Sequence, residues 1–361
     1  MTRIHRPLFA LACIFALAAV AAGCGGSSDS TSSSSTNSAN TETGGDSGGG
    51  SGGSLTLYSS QHEPMTEALI EGFEAQSGAS VAVRYGEDEG LASQIEQEGD
   101  ATPADVVLTE NTPPLEALGE KELLAPVEPS TLKEVPSQYS SANGDWVGVA
   151  ARETVMVYDP KQIAANELPA SILDLAKPEW KGKLAIAPSE PDFVPIVSAI
   201  EKLDGEAAAK SWLEGFAANA KHYNDNEGII AAVDSGQIAA GIINHYYWFE
   251  AVAEEGKAKV PSRLHYFGHE DPGALVNISG AAALASSDEP ELAQEFLAYL
   301  VSVEGQEQIP ASGDWEYPLN PAVQPAAGVK PFSTLDPPPV TPADLGDGSG
   351  AVELMQEVGL L

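Results

Sequence analysis

"LTLYSSQHEPMTEALIEGFEAQSGASVAVRY", Leu55–Tyr85, changes hydrophobic period twice. "LTLYS" reads as a strand. "PMTEALIEGFEAQSG" then sets Met65, Leu69, Ile70 and Phe73 at i, i+4, i+5 and i+8, on one face of a helix. Pro64 falls in the first turn, where its missing N–H is no loss, and Gly78 supplies the stop. "SVAVRY" returns to the extended pattern. Strand, helix and strand in one stretch predict a βαβ unit and a parallel sheet.

The same grammar continues outward. "GLASQIEQEG" is the next helix, "ADVVLTE" the next strand and "PPLEALGEKELL" a helix opened by prolines. At "WVGVAARETVMVYDP" the alternation gives way to a long extended segment. It then resumes as "GKLAIA" into "DFVPIVSAIEKLDG", "KHYN" into "EGIIAAVDSG", and "QIAAGII" into "YYWFEAVAEEG". "DPGALVNISGAAAL" is a second extended segment, followed by the helix "PELAQEFLAYLVSVEG". The Pro-rich "PFSTLDPPPVTPADLG" reads as a surface connector before a last short helix, "AVELMQEVGLL". The expected fold is α/β: two lobes, each a doubly wound mixed sheet, hinged by two extended crossings. The expected boundaries are 55–151 for the first lobe, 152–276 for the second and 277–324 for the return to the first. Residues 325–361 are expected to pack on the second lobe.

"MTRIHRPLFALACIFALAAVAAGC", residues 1–24, has a basic start, an apolar stretch too short for a membrane span, and small residues before Cys24. It reads as an export signal with a lipobox-like "AAGC". The expectation is a lipid on Cys24 and an extracytoplasmic protein anchored to the outer face of the cytoplasmic membrane. Residues 25–54 are a Gly/Ser/Thr tract that cannot bury apolar surface, and are expected to be a disordered tether. Cys13 and Cys24 are the two cysteines of the sequence, which leaves no disulfide framework and no thiolate metal site beyond the signal. Seventeen basic residues against 53 acidic ones, net −36, argue against nucleic acid as a partner.

In open α/β sheets ligands bind beyond the carboxyl ends of strands. Five such junctions carry polar residues: His62; Glu110; "PSEPD" with Glu190 and Asp192; Asn226; and Asn244 with Tyr246 and Tyr247. Each has an ordinary explanation, since "YYWF" suits a core and His62, Glu110 and Asn244 suit helix starts. Taken together, phenols, carboxylate and imidazole suit a hard cation such as Fe³⁺. His245 is expected to face elsewhere. A receptor of this architecture for another small solute (an organic anion or a phosphonate) is the close alternative. A metalloenzyme using His62 and Glu110 is a third, weakened by the lack of a second well-placed histidine.

"YSSQHEPMTEAL", "TPADVVLTEN", "PEWKGKLAIAPS", "IINHYYWFEAVAEEG" and "HYFGHEDPGALVNISGAAAL" together resemble the periplasmic ferric-iron-binding proteins. These are substrate-binding components of bacterial iron ABC transporters, with a two-lobe type II periplasmic-binding-protein fold. The resemblance implies a monomeric, non-catalytic clamp that captures Fe³⁺ and delivers it to a membrane permease. It implies His62, Glu110, Tyr246 and Tyr247 as iron ligands, and Asn226 and Asn244 as contacts to a synergistic anion. The sequence departs from the family pattern at Glu190-Pro191-Asp192, where two acids and a proline replace a small glycine-containing loop. Phosphate is therefore disfavoured as the anion. Carbonate near Arg152, or no anion, is expected ahead of it.

Overall fold

The structure is a computed structural model and describes residues 52–361. The signal, Cys24 and the tether as far as Ser51 lie outside the described residues. Strand β1 (Ser54–Ser59) takes in the last residue assigned to the tether. It is followed by α1 (Glu63–Ser77), β2 (Ser80–Tyr85), α2 (Asp88–Glu98), β3 (Val106–Thr109) and α3 (Pro113–Glu120). β1 pairs in parallel with both β2 and β3. The βαβ expectation from the opening stretch holds, with Met65, Leu69, Ile70 and Phe73 all buried on α1.

The first extended crossing is one buried 12-residue strand, β4 (Val147–Tyr158). Next come β5 (Leu184–Ile186), α4 (Phe193–Asp204), α5 (Glu206–Asn219), β6 (Ala220–His222), α6 (Asn226–Asp234), β7 (Ala240–Asn244), α7 (His245–Glu255) and β8 (Arg263–His265). The chain returns through β9 (Val276–Ala283), α8 (Pro290–Val301), α9 (Val303–Gln306), α10 (Gln308–Ser312) and β10 (Tyr317–Pro318). It ends with α11 (Pro342–Leu345) and α12 (Ser349–Glu357). Helix α5 was absent from the sequence reading. It places Trp212 and Phe216 in a stack at 4.7 Å beside Phe193 of α4.

Strand order is β2-β1-β3-β9-β4-β7-β5-β6, with β8 and β10 also pairing β4. β4 serves two sheets. Val147–Glu153 pairs β9, and Thr154–Tyr158 pairs β7, both antiparallel. Leu275 closes the second crossing alongside, its carbonyl accepting from the Thr154 N–H at 2.9 Å. One core surrounds β1, β3 and β9, with Leu57, Val107, Trp146 and Phe296 fully buried. Another surrounds β5 and α4–α5, with Ile186, Leu213 and Met355 fully buried. A third lies under α6 and β7.

The C-terminal expectation needs correcting. Val329, with Phe332 and Leu335 beside it, packs on the first core, while Val340, Leu345 and Leu354 pack on the second. Pro337–Pro339 separate the two parts, and three successive residues with fixed φ and no N–H cannot extend a helix across that gap.

Candidate metal centre

The charged and phenolic groups meet where β1, β3 and β7 end. His62 occupies the N-cap of α1, Glu110 follows β3, and Tyr246 and Tyr247 stand in the first turn of α7 behind the N-cap Asn244. The two phenol rings lie 4.1 Å apart at 30°, and the His62 ring lies 4.9 Å from Tyr246. One oxygen is common to the group. Glu110 Oε1 accepts from the Tyr246 hydroxyl at 3.5 Å and lies 3.7 Å from His62 Nε2. The Tyr247 hydroxyl donates to Asp192 Oδ2 at 3.4 Å. Tyr246 is fully buried, as a core aromatic would be, but its oxygen and that of Tyr247 face carboxylates. Packing alone would need only phenylalanine.

Arg152 sits at the changeover of β4 between its two sheets and is fully buried. Its Nε donates to Asp192 Oδ1 at 3.2 Å and its Nη2 to Asn111 Oδ1 at 2.7 Å. Glu110 Oε1 lies 3.4 Å from Nη2, and Glu316 Oε1 3.6 Å from Nη1. The sequence reading turned this guanidinium towards a carbonate. The structure turns it towards three of the protein's own carboxylates, the compensation a buried cation requires.

The electrostatics follow from burial and these neighbours. Burial opposes charge on His62, but the hydrogen bond and charge of Asp314, with Glu316 and Glu110, hold it up at about 10. Burial also pushes both phenols well above their usual range, reinforced for Tyr246 by Tyr247 and Asp192 and for Tyr247 by Asp192 and Glu110. Without a metal both tyrosines are therefore neutral. Burial raises Glu110, and Arg152 partly offsets it. His245 does face elsewhere. Its Nδ1 accepts from the Glu153 N–H, its Nε2–H donates to the Trp315 carbonyl, and burial pushes it down to about 3.

Three further acids escaped the sequence reading. Asp314 Oδ1 lies 2.6 Å from His62 Nδ1, which leaves Nε2 directed at Glu110. A carboxylate on the far nitrogen is the arrangement that fixes the tautomer of a metal-ligating imidazole. Glu316 completes the cage of Arg152. Glu250, one turn beyond the tyrosines, has a carboxylate oxygen within 4.8 Å of ligand atoms of His62 and Asp314, and burial pushes it up to about 8. No local signal marks them in the sequence; in the structure Trp315, between Asp314 and Glu316, is a non-glycine residue at φ 61°, the kind of backbone that gathers at functional sites.

On the side expected to hold an anion, Asn226, Asn244, Glu190 and Asp192 line one small cavity. The side-chain amide nitrogens of Asn226 and Asn244 are buried in it without a hydrogen-bond partner among the described residues. The structure thus gathers His62, Glu110, Tyr246, Tyr247, Arg152 and Asp192 at one point, with Asn226, Asn244 and Glu190 behind Asp192.

A profile of the bacterial extracellular solute-binding protein family matches residues 101–336. The chain belongs to that family. Its relatives include the Fe(3+)-binding periplasmic protein of Serratia marcescens, 41% identical over 85% of this chain and 90% of that one. The major ferric iron-binding protein of Neisseria meningitidis is 37% identical over 85% of this chain and 93% of its own. Iron-bound HitA from Pseudomonas aeruginosa, a solved structure, is 44% identical with a TM-score of 0.81, covering 85% of this chain and 99% of that one. This member of the solute-binding family therefore has the periplasmic-binding-protein fold that the family resemblance implied, built on the α/β alternation of its sequence.

Proposed function

We propose that this chain is the extracytoplasmic receptor of an iron ABC transporter, binding Fe³⁺ through Tyr246, Tyr247, Glu110 and His62 and passing it to a membrane permease. One observation carries the reading: two phenol oxygens, a carboxylate and an imidazole nitrogen converge between the two sheets that β4 joins. Two phenolates and one carboxylate balance three positive charges, and hard oxygen donors suit a hard cation. The iron-binding relatives, matched over most of this chain, support the reading of a ferric-iron receptor.

Capture is reversible binding with no bond made or broken in a substrate, so the protein acts as a receptor and not as an enzyme. The lobes are 55–151 with 277–324, and 152–276 with the end of the chain. In support, the cores divide near the same points. The lobes close about β4 and the start of β9, because His62 and Glu110 come from one and the tyrosines from the other. The receptor works as a monomer, tethered through a lipid on Cys24.

The direct test is iron content and colour of the Tyr246→Phe and Tyr247→Phe variants. Each keeps its ring packing and loses one oxygen, so melting temperatures should match wild type while iron affinity and the phenolate-to-iron absorption band fall. Wild-type colour and affinity in both variants would refute the assignment.

A further inference from the structure

Asp88 is the first residue of α2 and is 2% exposed, between the exposed Glu87 and Glu89. An acid in a first helical turn ordinarily stands at the surface, where it meets the helix dipole. This one faces inward, and its carboxylate accepts from two loops. Oδ1 accepts from the Ser60 hydroxyl, and from the Glu110 N–H at 3.0 Å. Oδ2 accepts from the Asn111 N–H at 2.9 Å and from Asn111 Nδ2 at 3.1 Å. We propose that Asp88 is a positioning residue for metal capture, one carboxylate that fixes both the His62 loop after β1 and the Glu110 loop after β3. This deepens the ferric reading and rests on it.

These hydrogen bonds account for the course of each loop. Buried backbone N–H groups need partners. Those of Glu110 and Asn111 lie beyond Thr109, the last residue of β3, and find theirs on Asp88. Ser60 stands two residues before His62, and its N–H donates to the Leu108 carbonyl at 3.0 Å. The two loops therefore leave the sheet side by side, with Asp88 across both. The Asn111 amide is oriented by its neighbours. Its nitrogen must face the Asp88 carboxylate, and its oxygen accepts from Arg152 Nη2 at 2.7 Å. The same Nη2 lies 3.4 Å from Glu110 Oε1. Asp88 thus reaches Glu110 twice, through its backbone and through Asn111 and Arg152.

A metal site keeps its affinity while its ligands stay within ~0.5 Å of their places. His62 and Glu110 ride on separate loops, with Nε2 and Oε1 3.7 Å apart, so their spacing depends on what ties the loops together. Asparagine at position 88 would have nearly the same shape as the aspartate. Its NH2 group must replace one oxygen, and would then face either the Glu110 N–H or both nitrogens of Asn111. Donor would meet donor in either orientation. The substitution therefore loosens the Glu110 loop while leaving the volume filled and every proposed metal ligand in place.

The test is a double-mutant cycle on the full chain, with Fe³⁺ affinity read from the visible band in competition with citrate. Asp88→Asn should lose about 10–100-fold, the range for partners of metal ligands. In a Glu110→Gln background the loss should shrink at least threefold, because the carboxylate to be positioned is gone. A role confined to the fold would cost the same in both backgrounds, and plain repulsion between the two acids would give a coupling of opposite sign. Amide exchange of the metal-free protein supplies a second reading. The Glu110 and Asn111 N–H groups should exchange faster in Asp88→Asn, while those of β5 and β7 stay protected. Should Asp88→Asn fail to fold, Ser60→Ala removes the link to the His62 loop alone, and its loss should shrink likewise in a His62→Ala background. Equal losses in both backgrounds, a coupling of opposite sign, or affinity within threefold of wild type would overturn the inference and leave the ferric reading standing. Wild type that takes no Fe³⁺ would sink both.

Discussion

Replacing Arg152 with methionine keeps most of the buried volume and removes the one charge that three carboxylates share. At 3.4 Å and an effective dielectric of ~20, a single such pairing is worth ~5 kcal/mol of bare Coulomb energy. Three pairings cannot be summed, because the variant no longer desolvates a guanidinium and its carboxylates can take up protons. Deleting one partner of a buried pair costs ~3–5 kcal/mol net. For a folded body of this size that lowers the melting temperature by roughly 6–10 °C, at ~2 °C per kcal/mol. The pH dependence has a definite sign. Burial already raises the Glu110 and Glu316 carboxyls in the folded state, and Arg152 restrains the rise. A group with a raised folded-state value binds its proton more readily folded than unfolded, so its stabilising contribution is present at low pH and lost as pH rises. Without Arg152 the rise is larger, and the variant's deficit should grow from about pH 5 to about pH 8. Calorimetric melts of metal-free wild type and Arg152→Met at both values test this. A deficit below about 1 kcal/mol, within the range of ordinary surface changes, or one that shrinks with pH, would refute the reasoning.

Three further outcomes are expected. Because Tyr246 and Tyr247 are neutral, His62 is charged and Glu110 is raised to about 8 in the free protein, loading Fe³⁺ near neutral pH should release about three to four protons, so apparent affinity falls as pH falls. Calorimetry in buffers of different ionisation enthalpy counts them, and fewer than two would contradict phenolate ligation. Asp314→Ala, which frees His62 Nδ1, should weaken iron binding by about 10–100-fold. The same change in a His62→Ala background should add little, as a double-mutant cycle would reveal. Cys24→Ser should move the protein from the membrane to the soluble fraction, and equal membrane retention would exclude this residue as the anchor.

The fold was legible wherever one apolar period ran long enough to be read. Leu55–Tyr85 gave strand, helix and strand at nearly their observed ends, and the region of β4 was visible as extended chain, though not as one unbroken 12-residue strand. Helix α5 escaped although "EAAAKSWLEGFAAN" carries Ala209, Trp212, Leu213 and Phe216 at helical spacing; it follows α4 with only Gly205 between them, so the two helices run together in the sequence. At the site, residues at strand-to-helix junctions were legible because topology brings such junctions to one edge of the sheet. Asp314 and Glu316 were not, since their return beside His62 depends on the path from α10 into β10, some 250 residues downstream. The partners of Arg152 were equally hidden. A buried cation in a strand announces that acids must surround it, but not which of 53 they are.

Ferric capture by this cleft requires one metal ion that touches both phenols. Crystals of the iron-loaded protein, with diffraction recorded on both sides of the iron absorption edge, decide this directly. One anomalous peak is expected, ~2.0–2.2 Å from the hydroxyl oxygens of Tyr246 and Tyr247, from Glu110 and from His62 Nε2. A peak held instead by Glu250 and Asp314, with both phenols still protonated and turned to their carboxylates, would contradict it.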